Sequence, residues 1–117
     1  MMDDTFFYLA RLEMYARFLT AVDAESHVVW HRQDGRYASE HEAIDAVDRA
    51  YAATRAAFNP IDLEGVGPHK EARLLLDQLK AMHEDGGRNP DWKDFKAARE
   101  AFTATAGAYL KSLRGDD

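Results

Sequence analysis

The sequence contains no cysteine, which removes disulfides, thiolate zinc centres and cysteine nucleophiles together and fits a reducing compartment, with the cytoplasm as the expected location. Prolines number only three, and each stands where a helix should stop or start. Long apolar runs are missing as well. The opening MMDDTFFYLARLEMYARFLTAV is acidic where a signal peptide would be basic, and Arg11, Glu13 and Arg17 interrupt its apolar residues. It therefore reads neither as a signal peptide nor as a membrane span. Basic residues are outnumbered 15 to 21, giving a net charge of -6 and a pI of about 5.3. Nucleic acid is a disfavoured partner for such a chain, because a phosphate backbone asks for a clustered basic surface.

What is present points to one helical domain. At 117 residues and 13.2 kDa, with 46% hydrophobic and 31% charged residues, the chain 1–117 suits a single core that needs no metal or disulfide to fold. Phe7, Tyr8, Leu12, Tyr15, Phe18, Leu19, Val22 and Val29 recur at helical spacing and predict a first helix over about 5–32, capped by Asp3, Asp4 or Thr5 and ended by the turn Gln33-Asp34-Gly35. Ser39 with Glu42 forms a capping box for a second helix over 40–58, which Asn59-Pro60 should end. Its buried side should carry Ala43, Ile44, Val47, Ala50, Tyr51, Thr54 and Phe58. Ile61, Leu63 and Val66 in the following loop are expected to plug the core. A third helix over 68–85 should bury Ala72, Leu75, Leu76, Leu79, Met82 and His83, and leave Leu74 off the face. The fourth, over 90–114, should be capped by Asn89, begin at Pro90, and bury Trp92, Phe95, Phe102, Ala106, Tyr109 and Leu113. Twenty alanines allow close helix approach, and short turns favour antiparallel neighbours. The expected fold is an all-α, antiparallel, up-and-down four-helix bundle.

The stretches RLEMYARFLTAVDA, EARLLLDQLKAM and DWKDFKAAREAFTATAGAYL resemble short Ala- and Arg-rich helical proteins of high-GC Gram-positive bacteria. The resemblance covers about half of the chain and rests on helix-packing patterns. It implies a bacterial source and brings no activity and no catalytic residue with it.

Chemistry is sought first in HVVWHRQDGRYASEHE, residues 27–42, which holds three of the five histidines. Asp23, His27 and His31 are spaced four apart and project along one side of the first helix, where two imidazoles and a carboxylate can share a divalent metal, with His41 of the second helix nearby. HVVWH lacks the glutamate of HExxH, and no histidine follows a glutamate by three residues as di-iron bundles require. Solvated histidines near a helix C-terminus are the plainer reading. GVGPHK lacks the GKS or GKT of a phosphate loop, and Ser26, Ser39 and Ser112 lie in no nucleophile elbow. His83 reads as a satisfied core or boundary histidine. No catalytic residue and no cofactor other than that metal is assigned.

A second row on the first helix, Phe6, Leu9, Ala16, Thr20 and Ala24, lies outside the core face. It predicts either an interface, met most economically by a second copy, or a central helix buried on more than one side. Trp30 and Tyr37 bracket the turn as candidate anchors, with Arg32 and Arg36 around them. The preferred reading is a non-enzymatic protein-interaction or regulatory module whose partner is another protein or itself. The rivals are a metal-binding protein or metal-dependent enzyme, and an acidic inhibitor or nucleic-acid mimic. Mimicry needs a field of one sign, whereas basic residues interleave with the acids along every helix.

Overall fold

The computed structural model describes residues 4–115 and contains four α-helices and one 3₁₀ turn: α1 (Asp4–Gln33), α2 (Glu40–Glu64), α3 (His69–Met82), the 3₁₀ turn (Glu84–Gly87) and α4 (Trp92–Arg114). Asp3, one of the cap candidates, lies outside the described residues. Local chemistry sets most of the boundaries. Gly35 takes a positive φ of 68° after α1, where the Arg36 amide donates to the His31 carbonyl at 2.9 Å. Ser39 Oγ accepts from the Glu42 amide at 3.1 Å, and the Glu42 carboxylate accepts from the Ala38 amide at 3.3 Å, so the capping box closes one residue earlier than its standard form.

The contacts define the topology. Arg11 of α1 pairs with Glu64 at one end of α2, and Arg32 pairs with Glu40 at the other, so α1 and α2 are antiparallel. α4 also runs against α1, since Tyr8 meets Arg114 and Gln33 meets Trp92. α3 runs in the direction of α1, with Gly67 beside Tyr15 and His83 beside Glu25. The molecule is thus an up-and-down four-helix bundle with extents of 54 × 24 × 19 Å. The 30-residue α1, about 45 Å long at 1.5 Å per residue, touches all three other helices. Phe18, Val22 and Val29 of α1 are wholly buried and pack with Phe58, Leu75, Leu79, Met82 and Phe102. Phe18 and Phe102 rings lie 5.0 Å apart, and Tyr15 stands edge-on to Phe102 at 5.9 Å. No helix among the described residues is long and apolar enough to cross a membrane.

Several expectations are corrected. α2 does not stop before Pro60 but carries it inside the helix and runs to Glu64. Proline removes one helical donor there, but Ile61 is buried in the core, Glu64 is held by Arg11, and Gly65 caps the end with its amide on the Ile61 carbonyl at 3.2 Å. Leu63, on the outer side of this added helical turn, is 87% exposed, and Val66, beyond the Gly65 cap, is 41% exposed, so of the three only Ile61 turns into the core. Ile44 and Tyr51 are exposed because α2 meets chiefly α1 and buries a narrower stripe than expected. Leu12 of α1 is exposed for the same kind of reason, lying at the edge of its stripe. α3 ends at Met82, where the 3₁₀ turn takes over, and Pro68 precedes it as N-cap. α4 begins at Trp92, not Pro90, because the Asp91 carboxylate, instead of Asn89, accepts the Asp94 amide at 2.9 Å.

Candidate functional site

At the C-terminal end of α1 four rings form a chain across the surface. His27 and His31, one turn apart, have ring centroids 4.3 Å apart; Trp30 lies 5.8 Å from His27 and 5.3 Å from His31, and Tyr37 from the turn lies 6.0 Å from His31. Arg36 places its guanidinium 4.6 Å from the centre of the Trp30 ring and is itself held by Asp34 at 2.7 Å. α4 contributes Trp92, whose indole N–H points to Gln33 Oε1 at 3.4 Å and whose ring is edge-on to Phe95 of the core. Ser26, His27, Trp30 and Trp92 line a shallow depression of about 540 Å³. The two tryptophans are held differently. Trp92 is wedged between α1 and the core, whereas Trp30 remains 39% exposed.

The candidate metal ligands are distributed differently from the expectation. The Asp23 carboxylate receives two bonds from Arg99 of α4, at 2.8 and 2.9 Å, and these bonds raise the guanidinium pKa above its ordinary value. His41 is solvent-facing on α2 and lies 3.5 Å from Asp45. Of the four candidates, His27 and His31 stand with their rings in contact. Among the described residues no group of three or more histidine and carboxylate side chains gathers closely enough to hold a metal ion.

The strongest polar feature lies outside the expected site. Glu25, 2% exposed in the middle of the α1 core stripe, lies 2.8 Å from His83 Nε2 at the end of α3. His83 is an apolar-face histidine as expected, but it is satisfied on one side only, for its buried Nδ1 has no partner among the described residues. A sequence signal for Glu25 exists: it sits three residues after Val22 and four before Val29, a carboxylate at a core position. The 3₁₀ turn that follows His83 passes through positive φ at Asp85 (55°), Gly86 (70°) and Gly87 (75°), and lies against Arg32. The pair therefore joins α1 to the end of α3 inside the bundle.

The outer face of α1 stays uncovered. Phe6 is 58% and Leu9 54% exposed, so α1, although it touches all three other helices, leaves this row outside the core. Toward the middle, Glu13 and Arg17 form an exposed pair at 2.7 Å. Beyond them Ala16, Thr20, Ala21 and Ala24 of α1, with Ala53 and Ala57 of α2, floor a groove of about 600 Å³.

The fold and surface define the class as an all-α four-helix bundle. No protein-family model, curated protein or solved structure matches the chain.

Proposed function

We propose that this is a non-enzymatic interaction module of the bacterial cytoplasm that meets a protein partner with the aromatic end of its bundle. The observation that carries the reading is the exposed Trp30 indole beside Trp92, the two rings sharing one depression while Arg36 and Tyr37 border the Trp30 side. Aromatic anchors on a rigid helix lose little conformational freedom on binding and concentrate binding energy once water is expelled. The charged side chains nearby are tied to one another, Arg36 to Asp34 and Asp23 to Arg99, so they act as a fixed polar border. The test is affinity capture from the cell of origin followed by calorimetry with the purified partner. Trp30→Ala should weaken binding by about 2 kcal/mol, some thirtyfold, with far-ultraviolet circular dichroism unchanged. A partner held equally by wild type and by Trp30→Ala, Tyr37→Ala rejects this surface.

A metal-binding reading has one observation in its favour, the adjacent His27 and His31 rings. Calorimetry of chelator-treated protein with zinc, nickel and manganese decides it. Binding that disappears in His31→Ala supports the pair, and no heat at micromolar metal removes the reading.

A further inference from the structure

The outer face of α1 carries an arrangement that the aromatic end does not use. Along one stripe of the helix stand Phe6, Leu9, Glu13, Arg17, Thr20 and Ala24: large apolar residues at one end, an acid and a base in the middle, small residues at the other end. Phe6 and Leu9 are more than half exposed, and both members of the Glu13–Arg17 pair face solvent. From the geometry we infer that this face docks a second copy of the chain, α1 against α1, antiparallel about a two-fold axis at the height of residue 15.

The charge pattern selects that occupant. In an antiparallel pair related by such an axis, positions summing to thirty face each other. Glu13 then meets Arg17 of the second copy, and Arg17 meets its Glu13. The two crossed pairs offset the repulsion between two chains that each carry a net charge of -6. The same relation sets Phe6 opposite Ala24 and brings Leu9 beside Thr20, since Ala21 turns toward α2, where its carbonyl accepts from Thr54 Oγ1. Leu9 and Phe6 lie about 9 to 14 Å from the axis at 1.5 Å per residue, and the Phe6 end comes over the groove floored by Thr20, Ala21, Ala24, Ala53 and Ala57. Large side chains fall on small ones at both ends, as ridges pack into grooves. A parallel arrangement would set Glu13 against Glu13 and Phe6 against Phe6. An isologous contact of this kind closes at two copies, so it yields a dimer and not a fibre.

The measurement is solution mass by light scattering and sedimentation on the full chain, combined with charge reversals that leave the core untouched. Wild type should show twice the 13.2 kDa chain mass at micromolar concentration. Glu13→Arg alone and Arg17→Glu alone should each be monomeric, with the dissociation constant raised about a hundredfold by juxtaposed like charges. An equimolar mixture of the two variants should recover a dimer, which native mass spectrometry identifies as one copy of each. One chain then presents bases at both central positions and the other presents acids at both, so every crossed contact is again between opposite charges. Leu9→Glu should be monomeric with unchanged helicity. A wild type that stays monomeric through the high micromolar range overturns the proposal, as does a dimer that survives both single reversals. So does failure of the mixture to associate. Trp30→Ala should leave the dimer mass unchanged, so the aromatic end and this face stand or fall separately.

Discussion

Removing one member of the Glu25–His83 pair tests how the bundle tolerates an unpartnered polar group in its interior. His83→Leu would leave the Glu25 carboxylate, 2% exposed, shut among Val22, Val29 and their neighbours with no donor at 2.8 Å. Loss of one partner from a buried pair costs about 3–5 kcal/mol. Glu25→Leu should cost less, about 1–3 kcal/mol, because the orphaned imidazole, 13% exposed as a side chain, lies at the edge of the core, whereas the Glu25 side chain is 3% exposed. The double variant Glu25→Leu, His83→Leu should return to within about 1 kcal/mol of wild type or exceed it, since two leucines fill a similar volume and remove the orphan His83 Nδ1 as well. For a chain of this size about 4 °C accompanies each kcal/mol, so His83→Leu should melt roughly 12–20 °C below wild type. Urea unfolding and thermal melts of the four proteins complete the cycle. If the double variant loses the sum of the two single losses, or if neither single variant moves by more than about 0.5 kcal/mol, the pair is not a coupled buried unit and the reasoning fails.

Tyr15 gives a pH-dependent prediction. Burial first, then the nearby Glu64 and Tyr109, raise its phenol pKa well above the usual range, so the folded protein keeps the proton where the unfolded chain loses it. Its contribution is therefore fully present below the unfolded value of about 10 and declines above it by about 1.4 kcal/mol per pH unit. Tyr15→Phe should flatten that alkaline decline in urea titrations, and at neutral pH it should be neutral or stabilising by up to about 1 kcal/mol, because the buried hydroxyl has no hydrogen-bond partner among the described residues. Gly67 and Gly107 should respond in opposite senses to alanine. At Gly67, with φ at 59°, a new Cβ would lie 2.7 Å from Tyr109 Cδ2 and 2.9 Å from Tyr15 Oη, so Gly67→Ala should cost about 2–4 kcal/mol. At Gly107, inside α4, nothing lies within 4 Å, and alanine should add up to about 1 kcal/mol. Thermal melts that rank the two in the other order would refute the packing described for the α2–α3 junction.

The parts of the fold legible in the sequence are those decided within one turn of helix. Ser39 with Glu42 and the glycine after Asp34 act on amides a few residues away, and the structure realises both. Pro60 misleads because its local penalty is outweighed by partners that are distant in sequence: the core around Ile61 and Arg11 on Glu64. The exposure of Ile44 and Tyr51 likewise depends on how α2 is seated on α1, which periodicity alone does not report. In the candidate site, the ring chain from His27 to Tyr37 is visible because it spans a helix end and its turn. Trp92, Arg99 and His83 reach α1 across 58 to 76 positions, and no local pattern announces such pairings.

Alanine-rich helices pose a problem of sliding, since a smooth seam packs almost equally well after a displacement of one turn, about 5.4 Å. Here each neighbour of α1 is pinned at a particular height: α2 by Arg11–Glu64 and Arg32–Glu40, α3 by Glu25–His83, and α4 by Asp23–Arg99. Slipping any helix by a turn would separate at least one acid from its base, and for Glu25 would do so out of reach of water. These polar pairs therefore act as an axial vernier. They add little to the depth of the native well but make one alignment of four otherwise interchangeable surfaces the favoured one.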